Sequence, residues 1–128
     1  MKNYNNCSII IPAYNEEKNI GLLLEDITRL KLFDEIIVVN DGSTDGTAKV
    51  VKGFSNVLLI DLTVNMGNGN AVKKGIIRST KDYLVILDAD GQHPPSAITS
   101  LIDFGIDNKF DLVVGSRKGN KNVSIFRS

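Results

Sequence analysis

The chain has 128 residues, 42% hydrophobic and 23% charged, enough for one domain with a real core but hardly for two. Fifteen Lys and Arg cancel fifteen Asp and Glu and no basic run exceeds two residues, which argues against nucleic acid as the partner. The single cysteine precludes an internal disulfide, the opening stretch lacks the apolar h-region of a secretory leader, and no apolar run approaches the roughly 18 residues that span a bilayer, so a cytoplasmic protein is expected.

The first element is an apolar, β-branched strand, "CSIIIP" (7–12), in which Cys7 reads as a small buried hydrophobe. After "PAYNEE" a helix is expected over 16–31: Ile20, Leu23, Leu24, Ile27 and Leu30 recur at helical spacing, Asn15 is available as N-cap, and Glu16 and Glu17 fall in the first turn. "EIIVVN" (35–40) is the second strand, and a helix is predicted from about Thr44 to Lys52. "VLLID" (57–61) is the third strand, with a helix from about Gly69 to Ser79 behind it. "YLVILD" (83–88) is the fourth, and a helix follows Pro94-Pro95 with Ile98, Leu101 and Ile102 on its inner face. "LVVG" (112–115) is the fifth.

Near-continuous hydrophobic strands alternating with helices imply an α/β fold, a mostly parallel sheet covered on both faces and joined by right-handed crossovers. No linker, repeat or low-complexity segment interrupts residues 1–128, which read as one domain. Ligands of such sheets bind beyond the carboxyl ends of the strands. Those ends carry "PAYNEE", "NDGSTDGT", "NMGNGNA", "DADGQH" and "GSRKGN", a concentration of polar residues and glycine that core packing does not require.

Asp88 and Asp90 lie two apart at a strand terminus, so alternation points both side chains the same way, with Ala89 leaving space between them. Two converging carboxylates repel unless a cation sits there, and carboxylate and water ligands suit Mg²⁺ or Mn²⁺. The alternative is structural: Asp90-Gly91 as a turn and Asp88 as a helix cap. Asp41, where the second strand runs out, is placed to accept hydrogen bonds from a nucleobase or ribose, or to make an Asx-turn, while Asp45 is better placed as a helix cap. Tyr14 offers an apolar plate with a hydroxyl, and Glu16 a second acceptor or a favourable charge at a helix start. His93, the one histidine, reads as an exposed loop residue or an outer partner of a metal or phosphate.

"IIIPAYNEE", "VVNDGSTDGT", "NMGNGNAVKKG", "DADGQHPP" and "VVGSR", in that order and spacing, resemble the family 2 glycosyltransferases of the GT-A fold, nearest the dolichol- or polyprenyl-phosphate sugar transferase branch. The resemblance implies a Rossmann-like nucleotide-diphospho-sugar transferase fold. It implies that Pro12, Tyr14 and Glu16, helped by Val39 and Asp41, hold the base and ribose of the donor, GDP-mannose or a UDP-sugar. Asp88, Ala89 and Asp90 match the family's D-x-D motif, which holds a divalent metal on the donor diphosphate, with Gln92 as a further ligand in the phospholipid branch. Arg117 resembles the arginine that contacts the donor or the acceptor phosphate, and Gly67 and Gly69 match the glycine-rich loop beside the donor.

Two departures stand out. Many members have Asp where this chain has Asn40, and members normally continue through an acceptor-binding half, so the sheet is expected to stop after the fifth strand and to leave an edge open to self-association. The implied function is a metal-dependent inverting transferase with a polyprenyl or dolichyl phosphate acceptor, peripheral at the cytoplasmic face of a membrane. A saccharide hydroxyl acceptor, or a non-catalytic nucleotide-sugar-binding module, are the alternatives. The tail from Ser116, with Arg117, Lys118, Lys121 and Arg127 and no acidic residue, reads as a frayed end or a contact for an anionic surface. "DADG" also resembles the D-x-D-G of haloacid-dehalogenase-type phosphatases, but there it follows the first strand and leaves "PAYNEE" unexplained.

Overall fold

A computed structural model describes residues 4–90, 95–107, 112–117 and 121–127, with side chains over 4–90 and 97–107. The elements are β1 (Cys7–Ala13), α1 (Ile20–Leu30), β2 (Glu35–Asp41), α2 (Thr47–Lys52), β3 (Leu58–Leu62), α3 (Asn68–Arg78), β4 (Tyr83–Leu87), α4 (Pro95–Asp107), β5 (Leu112–Arg117) and β6 (Lys121–Arg127). The sheet order is β3-β2-β1-β4-β6-β5. β1 to β4 pair in parallel, as their unbroken apolar runs predict, whereas β6 runs antiparallel between β4 and β5.

Alternate residues of the central strands serve the two faces. Ile9, Ile11 and Ala13 of β1, Ile36 and Val38 of β2 and Val85 and Leu87 of β4 form one core with Ile20, Leu23, Leu24 and Ile27 of α1, Val51 of α2 and Ile98 and Ile102 of α4. On the other face Ile37 and Val39 meet Ala71 of α3. Gly75 lets α3 lie close to the sheet, since a Cβ there would sit 2.5 Å from Ile10 Cγ2. Cys7 is buried in the first core, as expected of a small hydrophobe. Burial, followed by the charge of Asp103, pushes its thiol up to about 11. Tyr4 closes the amino-terminal edge, with its hydroxyl donating to Asp103 Oδ1 at 2.7 Å and its ring centroid 5.7 Å from that of Phe33.

Three expectations are corrected. The helix predicted over 16–31 starts at Ile20, and Asn15 is not its cap. Asn15 has φ 53°, and its side chain accepts from Thr44 N at 2.8 Å instead. The acidic pair Glu16 and Glu17 therefore lies in the loop before the helix. The second helix likewise starts at Thr47 rather than Thr44. Finally, the sheet does not end with a fifth strand: residues 121–127, within the tail read as frayed or surface-seeking, pair with both β4 and β5.

The order places β1 at a topological switch point. From β1 the chain winds outward through β2 to β3, then returns through α3 to the other side of β1 at β4. The carboxyl ends of β1 and β4 are thus neighbours although their residues lie far apart in sequence. That is where a crevice opens in a sheet of this kind.

Candidate functional site

Two loops are fastened together at this end of the sheet. Asn15 N donates to Ser43 Oγ and Glu16 N to Thr47 Oγ1, both at 2.9 Å, while Glu17 N donates to Asp45 Oδ2 at 3.2 Å. In return Thr44 N donates to Asn15 Oδ1 and Gly46 N to Glu17 Oε1 at 3.1 Å. The side chains of "NEE" and "STDGT" satisfy each other's backbone, which is why the first helix starts late: these donors find partners across the loop instead of within a helix. Asp45 also accepts from Thr47 N at 3.0 Å, as a residue at a helix start should. Hydrogen bonds from Thr47 hold its carboxyl below the ordinary range. The stitched pair presents Tyr14, 47% exposed, and Glu16 on the outer side.

A second fastening runs through Asp41, only 3% exposed at the end of β2. Its Oδ1 accepts from Met66 N and its Oδ2 from Gly67 N, both at 2.9 Å, and Asn65 Nδ2 adds a contact to Oδ2 at 3.2 Å. The carboxylate therefore holds the loop before α3, a role that the sequence reading did not assign to it. Gly42 is required beside it, with φ +66° and a position where a Cβ would lie 2.4 Å from Asn65 N. Asn40 acquires a reason too. It faces Asp61 on β3 and donates to Asp61 Oδ1 at 2.7 Å, where an aspartate would set two carboxylates against each other.

Two adjoining clefts result. One, about 220 Å³, lies between the ends of β1 and β2 and the start of α3, and is lined by Pro12, Ala13, Tyr14, Asp41, Asn65, Gly67, Asn68 and Ala71. The other, about 340 Å³, lies between the ends of β1 and β4 and is lined by Pro12, Tyr14, Glu16, Asn68, Asp88, Ala89 and Asp90. Pro12, Tyr14 and Asn68 belong to both.

The structure thus brings together Pro12, Tyr14, Glu16, Asp88, Ala89 and Asp90, with Asp41 one cleft away. Ala89 packs into the core between the two aspartates, as alternation at a strand end requires. Val39 is the exception: it shares the α3 face with Asp41, but two residues deeper in the sheet its side chain is fully buried with Ala71 beneath α3 and lines neither cleft. Gln92 and His93 lie outside the described residues, and of Arg117 only the backbone, at the end of β5, is described. Asn68 was missed, although its place at the start of a helix behind the third strand end was the signal. Among the described residues no three His, Cys, Asp or Glu side chains converge on a point. Asp88 and Asp90 are nonetheless a hard-oxygen donor pair at the cleft wall, which fits a divalent cation that keeps waters and phosphate oxygens as its other ligands.

The family described as Glycosyl transferase family 2 matches residues 8–127. The chain is 36% identical to a dolichyl-phosphate β-glucosyltransferase of Trichomonas vaginalis over 91% of its own length and 41% of that protein. It is also 36% identical to the undecaprenyl-phosphate 4-deoxy-4-formamido-L-arabinose transferase of Proteus mirabilis over 96% of its own length and 40% of that protein. It therefore spans about two fifths of the length of these relatives. Among solved structures, a mannosyltransferase from Pyrobaculum calidifontis in complex with GDP-Man and Mn²⁺ superposes with a TM-score of 0.79 at 20% identity, over 95% of this chain and 44% of the other. The glucosyl-3-phosphoglycerate synthase of Mycobacterium tuberculosis, in complex with Mg²⁺ and uridine-diphosphate, gives 0.68 at 26% identity over 80% and 39%.

Proposed function

The chain belongs to glycosyl transferase family 2, and on that premise we propose that it is the donor-binding part of a metal-dependent, inverting glycosyltransferase acting on a polyprenyl phosphate. The observation that carries the reading is the shared cleft of Pro12, Tyr14, Glu16, Asn68, Asp88 and Asp90 at the switch point between β1 and β4. Relatives named for dolichyl- and undecaprenyl-phosphate support the acceptor class, and a neighbour holding Mg²⁺ with uridine-diphosphate supports the donor and the cation.

In this reading the smaller cleft takes the nucleobase. Tyr14 stacks on it, and the clamped loop with Asn65 supplies polar contacts at its rim. Glu16 accepts hydrogen bonds from the ribose, and Asn68, common to both clefts, orients the donor between them. Asp88 and Asp90, joined by Gln92, would hold a Mg²⁺ or Mn²⁺ ion, which when bound supplies Lewis-acid stabilisation of the leaving diphosphate. The acceptor phosphate attacks the anomeric carbon from the face opposite the diphosphate. One carbon–oxygen bond forms as the other breaks, and the electron pair departs on the nucleoside diphosphate. A phosphomonoester is mostly ionised near neutral pH, its second pKa being about 6. It needs no general base, whereas a saccharide hydroxyl would. Arg117 is the side chain to bring toward one of the two phosphates.

The test is thermal unfolding with UDP, GDP, CDP, TDP or ADP, each with and without Mn²⁺. A bound diphosphate at 100 times its Kd adds about 2.7 kcal/mol, a shift of roughly 10 °C for a domain of this size. A metal-dependent shift with one base confirms the donor cleft; no shift with any of them sinks it. Turnover of the matching nucleotide-sugar onto polyprenyl phosphate, but not onto a saccharide, then separates the acceptor classes. Turnover by this chain would exclude a non-catalytic module.

A further inference from the structure

Residues 62–81, from the end of β3 through α3, contain no acidic side chain and four basic ones, Lys73, Lys74, Arg78 and Lys81. Lys81 is engaged with Asp34 at 3.8 Å, but Lys73, Lys74 and Arg78 are exposed. The same stretch presents large apolar side chains to solvent: Val64 at 60%, Met66 at 67%, Ile77 at 70%, and Ile76 to a lesser degree. Ala71 and Gly75 turn inward to the sheet, so the helical spacing puts Lys73, Ile76 and Ile77 together on the outer face. Val64 and Met66, also exposed, lie in the loop that leads into this helix. The whole is about 16 Å long for the helix alone.

We infer that this face of α3 and the loop before it dock on an anionic lipid surface. The occupant follows from the mixture. A basic face without apolar groups would suit any polyanion in solution, and an apolar face without charge would suit a protein partner. Exposed Ile76 and Ile77 beside cations on one helix, with exposed Met66 in the loop before it and no carboxylate between Asp61 and Asp82, match the headgroup boundary, where apolar tips insert while Lys and Arg meet lipid phosphates. The loop concerned also lines the clefts through Asn65, Gly67 and Asn68, so a docked chain would hold the mouth of the site beside the bilayer. The inference stands on this surface and goes beyond the acceptor assignment; neither polyprenyl phosphate nor nucleotide enters its test.

The chain is sedimented with vesicles of pure phosphatidylcholine and with vesicles of equal parts phosphatidylcholine and phosphatidylglycerol, at low and high salt. Binding is expected on the mixed vesicles alone, weakening as salt screens the cations. Each cation near such a surface contributes about a fivefold factor, so Lys73→Gln with Lys74→Gln should lower partitioning roughly 25-fold. Met66→Ser with Ile77→Ser should lower it about tenfold. Lys49→Gln with Lys52→Gln, exposed on α2, should leave it unchanged, and circular dichroism of every variant should match the parent. Three results overturn the inference: no preference for the mixed vesicles, undiminished binding by the α3 variants, or a fall in oligomer mass on Ile77→Ser without lipid, which would make the face a contact between copies.

Discussion

Asp41→Asn separates a carboxylate that serves the fold from one that serves only a ligand. The side chain is 3% exposed and accepts from Met66 N and Gly67 N at 2.9 Å each, with Asn65 Nδ2 at 3.2 Å. Hydrogen bonds to a charged acceptor are worth about 1.5–3 kcal/mol each. The amide keeps the volume and one acceptor oxygen, so one backbone bond survives in weaker, neutral form. The other is replaced by two donors facing each other. Because Met66 and Asn65 are exposed, the released groups recover water, and the net loss falls to about 2 kcal/mol. For a chain of this length that is a fall in Tm of roughly 8 °C. Urea unfolding should show the lower midpoint at an unchanged slope, the signature of lost stability without a changed unfolded state. A loss under about 0.5 kcal/mol, the scale of an ordinary surface substitution, would refute the clamp and return Asp41 to a ligand role alone.

Asp90→Ala should leave the fold intact, since the residue lies three positions beyond the end of β4 at Leu87, yet abolish metal-dependent diphosphate binding by calorimetry; unchanged Mn²⁺ dependence would remove Asp90 from the cation site. Gly75→Ala adds a methyl 2.5 Å from Ile10 Cγ2 and 3.4 Å from Val39 Cγ2. The helix gains about 1 kcal/mol in propensity against about 1–3 kcal/mol of overpacking, so denaturation should show a net loss of about 1 kcal/mol, and a stabilised variant would contradict the close packing of α3. Cys7 should resist thiol reagents until the chain unfolds. Its folded pKa of about 11 lies above the ordinary 9.0, so folding favours the protonated thiol. That contribution is complete below pH 9 and is lost as pH rises through 11, a decline that a Cys7→Ala variant should lack in pH-dependent unfolding.

The four parallel strands and their helices were legible because β1, β2 and β4 are largely buried and written as unbroken apolar runs, and the edge strand β3 keeps an apolar run up to Asp61. The inner faces of the first and fourth helices were legible at helical spacing: Ile20, Leu23, Leu24 and Ile27, then Ile98 and Ile102, all reach the core. The residues of the larger cleft other than Asn68 were legible too, since polar groups crowded at strand ends have no packing reason to be there. What misled was local: Asn15, Glu16 and Glu17 have the composition of a helix start, but their partners, Ser43, Thr44, Asp45 and Thr47, come from the next loop. A cap and a cross-loop bracket look alike in one dimension. Residues 121–127 concealed a strand because a polar start and a basic tail resemble an end, and their pairing with β4 is a long-range event.

By itself, then, the sequence determined the alternation of elements, the buried faces of the first and fourth helices and the family motifs, all of which rest on periods of two and 3.6 residues and on turn chemistry. Only the tertiary structure decided that β1 and β4 are neighbours, so that "PAYNEE" and "DAD" face one opening, that Asp41 is shared with a loop 24 residues away, and that Val39 belongs to the core. The reason is that strand order and cross-loop hydrogen bonds depend on which surfaces meet when the whole sheet is buried, and no local pattern encodes that choice.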